Sequence, residues 1–128
     1  MEIILNLKLS YLHKMKLKYC NVISDYKSPY TEPLKIRKGE SLQIGKKESE
    51  WSGWVWCMNK DGMERWVPRN YLEINGSSGI MLQDYEATEL TVFIGEELVI
   101  EKEESGWGWV SNKEGKKGWI PLENIKIT

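Results

Sequence analysis

The chain has 128 residues, with 18 Lys and Arg against 19 Asp and Glu for a formal net charge of −1. That balance excludes a nucleic-acid grip built on phosphate neutralisation. No apolar run approaches the roughly 18 residues needed to span a bilayer, so neither nucleic acid nor membrane is an expected partner.

Charge is unevenly spread. Residues 1–18 carry four Lys and one Glu, residues 19–75 nine basic and eight acidic groups, and residues 76–128 five Lys against ten acids. The acidic C-terminal half repels polyanions and attracts basic peptides. Seven Trp and six Tyr stand against a single Phe; Trp and Tyr carry a polar handle suited to half-exposed binding surfaces. Cys20 and Cys57 lack a C-x-x-C or Cys/His grouping, which fits buried free thiols better than a disulfide framework or a metal site.

In chain order, the segment IILNLKLSYL is interrupted by Asn6 and Lys8 and has no small-residue cleavage site, so no secretory leader is expected and the chain reads as cytoplasmic. Leu5, Leu7, Leu9 and Tyr11 alternate as in a strand, whereas Leu5, Leu9 and Leu12 would line a helix; both readings stand. Residues 1–18 lie outside the repeats described next, and Met15 offers an alternative start that would make the first fourteen residues an upstream extension.

KIRKGESLQI (35–44) alternates around a Gly-Glu turn, and WVWCMNKDGMERWVP (54–68) contains a hairpin signal at Asp61-Gly62. After NGSSG (75–79), a flexible composition read as a five-residue linker, the pattern recurs. LTVFIGEELVI (90–100) matches LKIRKGESLQI (34–44) at an offset of 56, and WGWVSNKEGKKGWIP (107–121) matches the first Trp block at an offset of 53. ISDY (23–26) matches LQDY (82–85) at an offset of 59. Short alternating segments, polar turns and no sustained 3.6-residue period predict an all-β chain of two tandem five-stranded units. The expected division is 1–18 extension, 19–74 first domain, 75–79 linker and 80–128 second domain.

Both repeats resemble SH3 domains, small five-stranded barrels that bind proline-rich peptides. VISDY (22–26), LKIRKGESL (34–42), Trp54 and WVPRNYLEI (66–74) stand in the family's order, and Gly39 lies thirteen positions after Tyr26. MLQDY (81–85), LTVFIGEEL (90–98), Trp107 and WIPLENIKI (119–127) repeat the series. The resemblance implies a non-catalytic, adaptor-like interaction module without a cofactor, binding extended proline-containing segments mainly through the first domain. It assigns a peptide shelf of Tyr26, Trp54, Trp66, Pro68, Asn70 and Tyr71 there, with Glu32 close by. The second shelf would comprise Tyr85, Glu89, Glu104, Trp107, Trp119 and Pro121.

The chemistry suits those types: a polyproline II ridge fits between flat aromatic rings, an indole N–H donates to a peptide carbonyl, and a carboxylate pairs with a flanking Arg or Lys. Departures from the pattern are Ser24 and Gln83 for the first tyrosine, Pro33 for the acid of the long loop, and Glu123-Asn124 for the Asn-Tyr pair. The roles of Trp56 and Trp109 stay open between surface and interdomain burial. Three other readings are a bacterial-type SH3 module for cell-wall peptide or glycan, an aromatic cage for methylated lysine, and a structural tandem whose aromatic faces pack together. No catalytic motif is present: the one His, His13, lies outside both repeats.

Overall fold

The computed structural model describes residues 17–30 and 32–128. The strand-or-helix question over residues 1–16 and the alternative start at Met15 lie outside the described residues. The chain is all-β, with no α-helix among those residues.

Twelve strands follow in order: β1 Lys18–Val22, β2 Lys35–Ile36, β3 Ser41–Ile44, β4 Trp54–Met58, β5 Glu64–Pro68, β6 Leu72–Asn75, β7 Ser78–Met81, β8 Tyr85–Glu86, β9 Glu97–Glu104, β10 Trp107–Ser111, β11 Lys117–Pro121 and β12 Ile125–Ile127. Single 3-10 turns at Arg69–Tyr71 and Leu122–Asn124 follow β5 and β11. Alternation sets the faces: in β1, Cys20 and Val22 point inward while Tyr19, between Lys18 and Cys20, is exposed on the other face. The hairpin read from Asp61-Gly62 forms, pairing β4 with β5, and the aligned Glu114-Gly115 turn pairs β10 with β11 in the same way.

The two five-stranded sheets run β5-β4-β3-β7-β6 and β11-β10-β9-β1-β12. They share one pattern but exchange a strand. β7, from the second repeat, lies between β3 and β6 of the first. β1, from the first repeat, lies between β9 and β12 of the second, with Cys20 opposite both Leu98 and Ile127. The segments after these strands are exchanged too. β2 pairs with β8, and Tyr26 exchanges backbone hydrogen bonds with Val92, both 2.9 Å.

The local cause is the turn between β6 and β7. The segment read as a linker is a hairpin in which Asn75 faces Ser78 across Gly76 and Ser77, and Gly76 takes the left-handed conformation, φ 65°, that a tight turn favours. β7 must therefore lie beside β6.

The cores divide accordingly. One gathers Leu34, Ile36, Leu42, Val55, Cys57, Val67, Leu72 and Met81, and it takes in Trp107 and Trp119 from the second repeat. The other joins Cys20 and Val22 to Leu90, Val92, Leu98, Ile100, Val110, Ile120 and Ile125. Both cysteines are buried and free, and burial pushes the Cys57 thiol up to about 12.

Two outcomes follow. Met81→Ala, which opens a cavity beneath the first sheet and costs about 2–5 kcal/mol, will lower amide hydrogen-exchange protection in β3–β6 before β9–β12; loss confined to residues 90–128 would refute the exchanged arrangement. Cys57, protonated throughout the neutral range, will resist a neutral alkylating reagent in the folded chain and react once urea is added, as mass spectrometry will record.

Candidate functional site

The Trp-rich strands β4 and β10 meet across the two sheets, and their aromatic rings form one continuous row. Tyr26 packs edge-on against Trp107 at 5.6 Å, Trp107 lies 5.9 Å from Trp54, and Trp54 lies 5.8 Å from Trp119. Tyr85 continues the row 6.2 Å from Trp119 and 5.5 Å from Tyr71. Edge-to-face contacts at these separations match the quadrupoles of the rings. Trp51, just before β4, stands 5.0 Å from Trp107.

The tyrosines have changed sides. The sequence groups Tyr26 with Trp54 and Tyr85 with Trp107, whereas the fold sets Tyr26 against Trp107 and Tyr85 against Tyr71. Each tyrosine travels with its exchanged strand, so each aromatic group draws on both repeats.

Burial divides the expected shelf. Trp54, Tyr71, Tyr85, Trp107 and Trp119 are buried, and Pro68 and Pro121 are fully so. Tyr26 and Trp66 are partly exposed, and Glu32 and Asn70 are exposed. Several polar handles are used internally. The Trp54 indole donates to the Ser105 carbonyl at 2.9 Å, the Trp119 indole to the Glu86 carbonyl at 2.9 Å, and the Tyr85 hydroxyl to the Trp66 carbonyl at 3.1 Å. Asn70 donates to Glu104 at 3.2 Å. Glu32 contributes its backbone carbonyl, which accepts from Arg65 at 3.1 Å. The loops bearing Trp54 and Trp107 interlock: a Cβ on Gly53 would stand 2.6 Å from the Ser105 hydroxyl oxygen.

Above the buried row opens a cleft of about 380 Å³, within the usual range for ligand pockets of about 300–1,000 Å³. Tyr26, Tyr30, Trp51, Trp66 and Glu89 line it over Trp54, Trp107 and Trp119, with Lys47, Glu48, Glu50 and Arg65 around it. Glu89 accepts a hydrogen bond from the Tyr26 hydroxyl. Burial raises the Glu89 carboxyl above the ordinary carboxylate value, opposed by that hydrogen bond and by the charge of Arg65. Burial also raises the Tyr26 hydroxyl, with Glu89 adding to the effect. Both shifts run in the direction that makes the group harder to ionise.

Sequence reasoning missed Tyr30, Trp51, Lys47 and Arg65. Tyr30 sits on Arg65, whose guanidinium carbon is 4.4 Å from the ring centroid. The signal available was composition alone, since neither aromatic has an aromatic counterpart in the second repeat. Among the described residues no group of His, Cys, Asp and Glu is arranged to hold a metal, and no helix is long and apolar enough to cross a membrane.

Residues 19–75 match the family described as the variant SH3 domain. The chain is also similar to mouse SH3 and PX domain-containing protein 2B, 28% identical over 131 aligned positions that cover 88% of this chain and 14% of that protein. The chain thus spans about 14% of the length of that relative. No solved structure matches. The SH3 match supports a protein-interaction module.

Folding raises the pKa of Glu89, so its proton is held more tightly in the folded chain than in the unfolded one. The stabilising contribution is complete below the unfolded value and is lost as pH rises through the folded value. Glu89→Gln will therefore match the parent at a pH below about 4, the ordinary Glu value, and exceed it in stability at neutral pH. Urea denaturation at the two pH values will read this, and an advantage that grows on acidification would refute it.

Proposed function

We propose that the chain is a non-catalytic interaction module of two SH3-like barrels with exchanged first strands, binding one extended proline-containing segment in the cleft between them. The observation that carries this is the cleft's composition. Tyr26, Trp66 and Glu89, taken from the shelves expected of both repeats, line one cavity together with Trp51 and Tyr30. A polyproline II ridge brings little conformational entropy to lose and packs on flat rings, and an acid beside the rings suits a flanking Lys or Arg. On this reading the second repeat is a second SH3 unit, and the module recruits its partner in the cytoplasm. The similarity to the mouse protein extends beyond the SH3 match into the second repeat, since it covers 88% of the chain, and supports reading both halves together.

A second reading has its own observation. Trp54, Trp107 and Trp119 are buried, and the Trp54 indole that a peptide carbonyl would need already donates to Ser105. In that reading the rings are a structural seam and the cleft is incidental. A two-dimensional NMR titration of the full chain with proline-rich peptides carrying Arg at one end separates the two. Peptide binding will shift the indole signals of Trp51 and Trp66 in a saturable way, and Trp66→Ala will weaken it about tenfold or more, as loss of an interface anchor does. Silence at all seven indoles would leave the structural seam as the reading.

A further inference from the structure

Beside the cleft, the first repeat assembles an aromatic pair that already holds a cation. Trp56 on β4 and Trp66 on β5 face each other in register, with ring centroids 4.9 Å apart and planes at 63°. Lys47, on the exposed loop between β3 and β4, reaches back over them. Its Nζ is 4.2 Å from the Trp56 centroid and 5.6 Å from that of Trp66. The three ion pairs formed among the described residues do not include Lys47, so what holds the ammonium there is the negative face of the two rings.

The pair is built as a receptor. The Trp56 indole donates to the Glu64 carboxylate at 2.6 Å, which fixes the ring. Both rings are partly exposed, whereas in the second repeat Trp109 is partly exposed but its neighbour Trp119 is only 2% exposed. There Lys102 lies 5.7 Å from Trp119, much as Lys47 lies from Trp66, but among the described residues no ammonium comes as close to either ring as the 4.2 Å of Lys47 from Trp56. Trp66 also lines the main cleft, so a chain lying in the cleft passes beside this pair.

We propose that Trp56 and Trp66 form a cation-binding subsite at the side of the cleft, and that Lys47 is its internal occupant. A Lys, Arg or quaternary ammonium group of the bound segment takes the place of Lys47, which swings out on its loop. The proposal rests on the cleft reading for how the ligand arrives, but the subsite binds a cation whether or not a peptide binds. The internal contact competes, so the free chain is partly self-inhibited toward basic ligands. Removing the Lys47 charge tightens cation binding by about two- to five-fold, the scale of an exposed cation–π contact.

The test uses the full chain, its Lys47→Gln variant and its Lys47→Arg variant, with tetramethylammonium chloride as the probe against matched sodium chloride. Indole N–H signals of Trp56 and Trp66 will shift saturably, with a midpoint about two- to five-fold lower in Lys47→Gln and unchanged in Lys47→Arg. Because Lys47 is exposed, backbone amide signals away from the loop will stay in place and show that the variant is folded. An identical midpoint in the parent and Lys47→Gln, or shifts spread evenly over every indole, overturns the proposal. A second titration uses an acetylated Arg-Pro-Pro-Leu-Pro-Pro peptide. If tetramethylammonium competes with Lys47 and the peptide does not bind, the subsite stands and the cleft reading falls. If the peptide binds equally to the parent and Lys47→Gln, the subsite falls and the cleft reading stands.

Discussion

Everything in this architecture depends on a turn two residues long. β6 ends at Asn75 and β7 begins at Ser78, with Gly76 and Ser77 between them. Strands joined that closely can only pair with each other, so β7 occupies the place beside β6 and β3. That place is the one β1 would need in a barrel built from the first repeat alone. Once β7 has filled it, the second sheet lacks a central strand between β9 and β12, and β1 supplies it. An unpaired β1 would leave its backbone groups without partners and Cys20 and Val22 in water. The first barrel is consequently continuous in sequence, and the second joins the beginning of the described chain to its end.

Exchange also decides which side chains meet at the cleft. Each exchanged strand carries a tyrosine into the other barrel, and the chain must cross between the barrels twice, once after Tyr26 and once around Thr88 and Glu89. The Trp119 N–H bonds the Thr88 carbonyl at 2.9 Å, and the Leu90 N–H bonds the Trp119 carbonyl at 3.1 Å, which ties the second crossing to β11. The crossings bring Tyr30 and Glu89 to the cleft. Two independent shelves would have offered two weak sites whose joint use depends on linker reach. A shared cleft removes that dependence, because both walls are positioned by the same strand exchange.

The repeat, the hairpins and the all-β class were legible because periodicity and turn residues are local. The exchange was not legible from the strands, since β1 and β7 present equivalent faces. Cys20 and Val22 alternate inward in one as Gly79 and Met81 do in the other, and either strand would satisfy either sheet. The turn did hold a signal. NGSSG reads as a linker by composition, yet Asn75-Gly76 followed by alternating residues is also a strong short hairpin pattern. In the fold the turn chemistry prevails over the composition, and residues 75–78 form a hairpin. The tyrosines change sides for the same reason, while Trp54 and Trp66 stay in the sheet of the first repeat and Trp107 and Trp119 in that of the second, with Trp54 meeting both of the latter across the seam.

The two repeats agree in their cores and in three aromatic pairs of the cleft, Tyr26 and Tyr85, Trp54 and Trp107, Trp66 and Trp119, and diverge at other positions that line it. Counting back from the aligned Trp54 and Trp107, Trp51 stands opposite Glu104 in the alignment; counting back from Leu34 and Leu90, Pro33 stands opposite Glu89. Trp51 and Glu89 both line the cleft, one as an aromatic wall and the other as a half-buried acid. Two identical repeats in this arrangement would give a pseudo-symmetric cleft with no preferred direction for an extended ligand. Divergence at these positions puts an indole at one place and a carboxyl at the other without a repeat-related match for either, and Lys47 over Trp56 and Trp66 adds a further asymmetry on the first repeat. A bound segment with a cation at one end would thus meet different chemistry in its two orientations. Strand exchange creates the shared cleft, and sequence divergence between the repeats gives it direction.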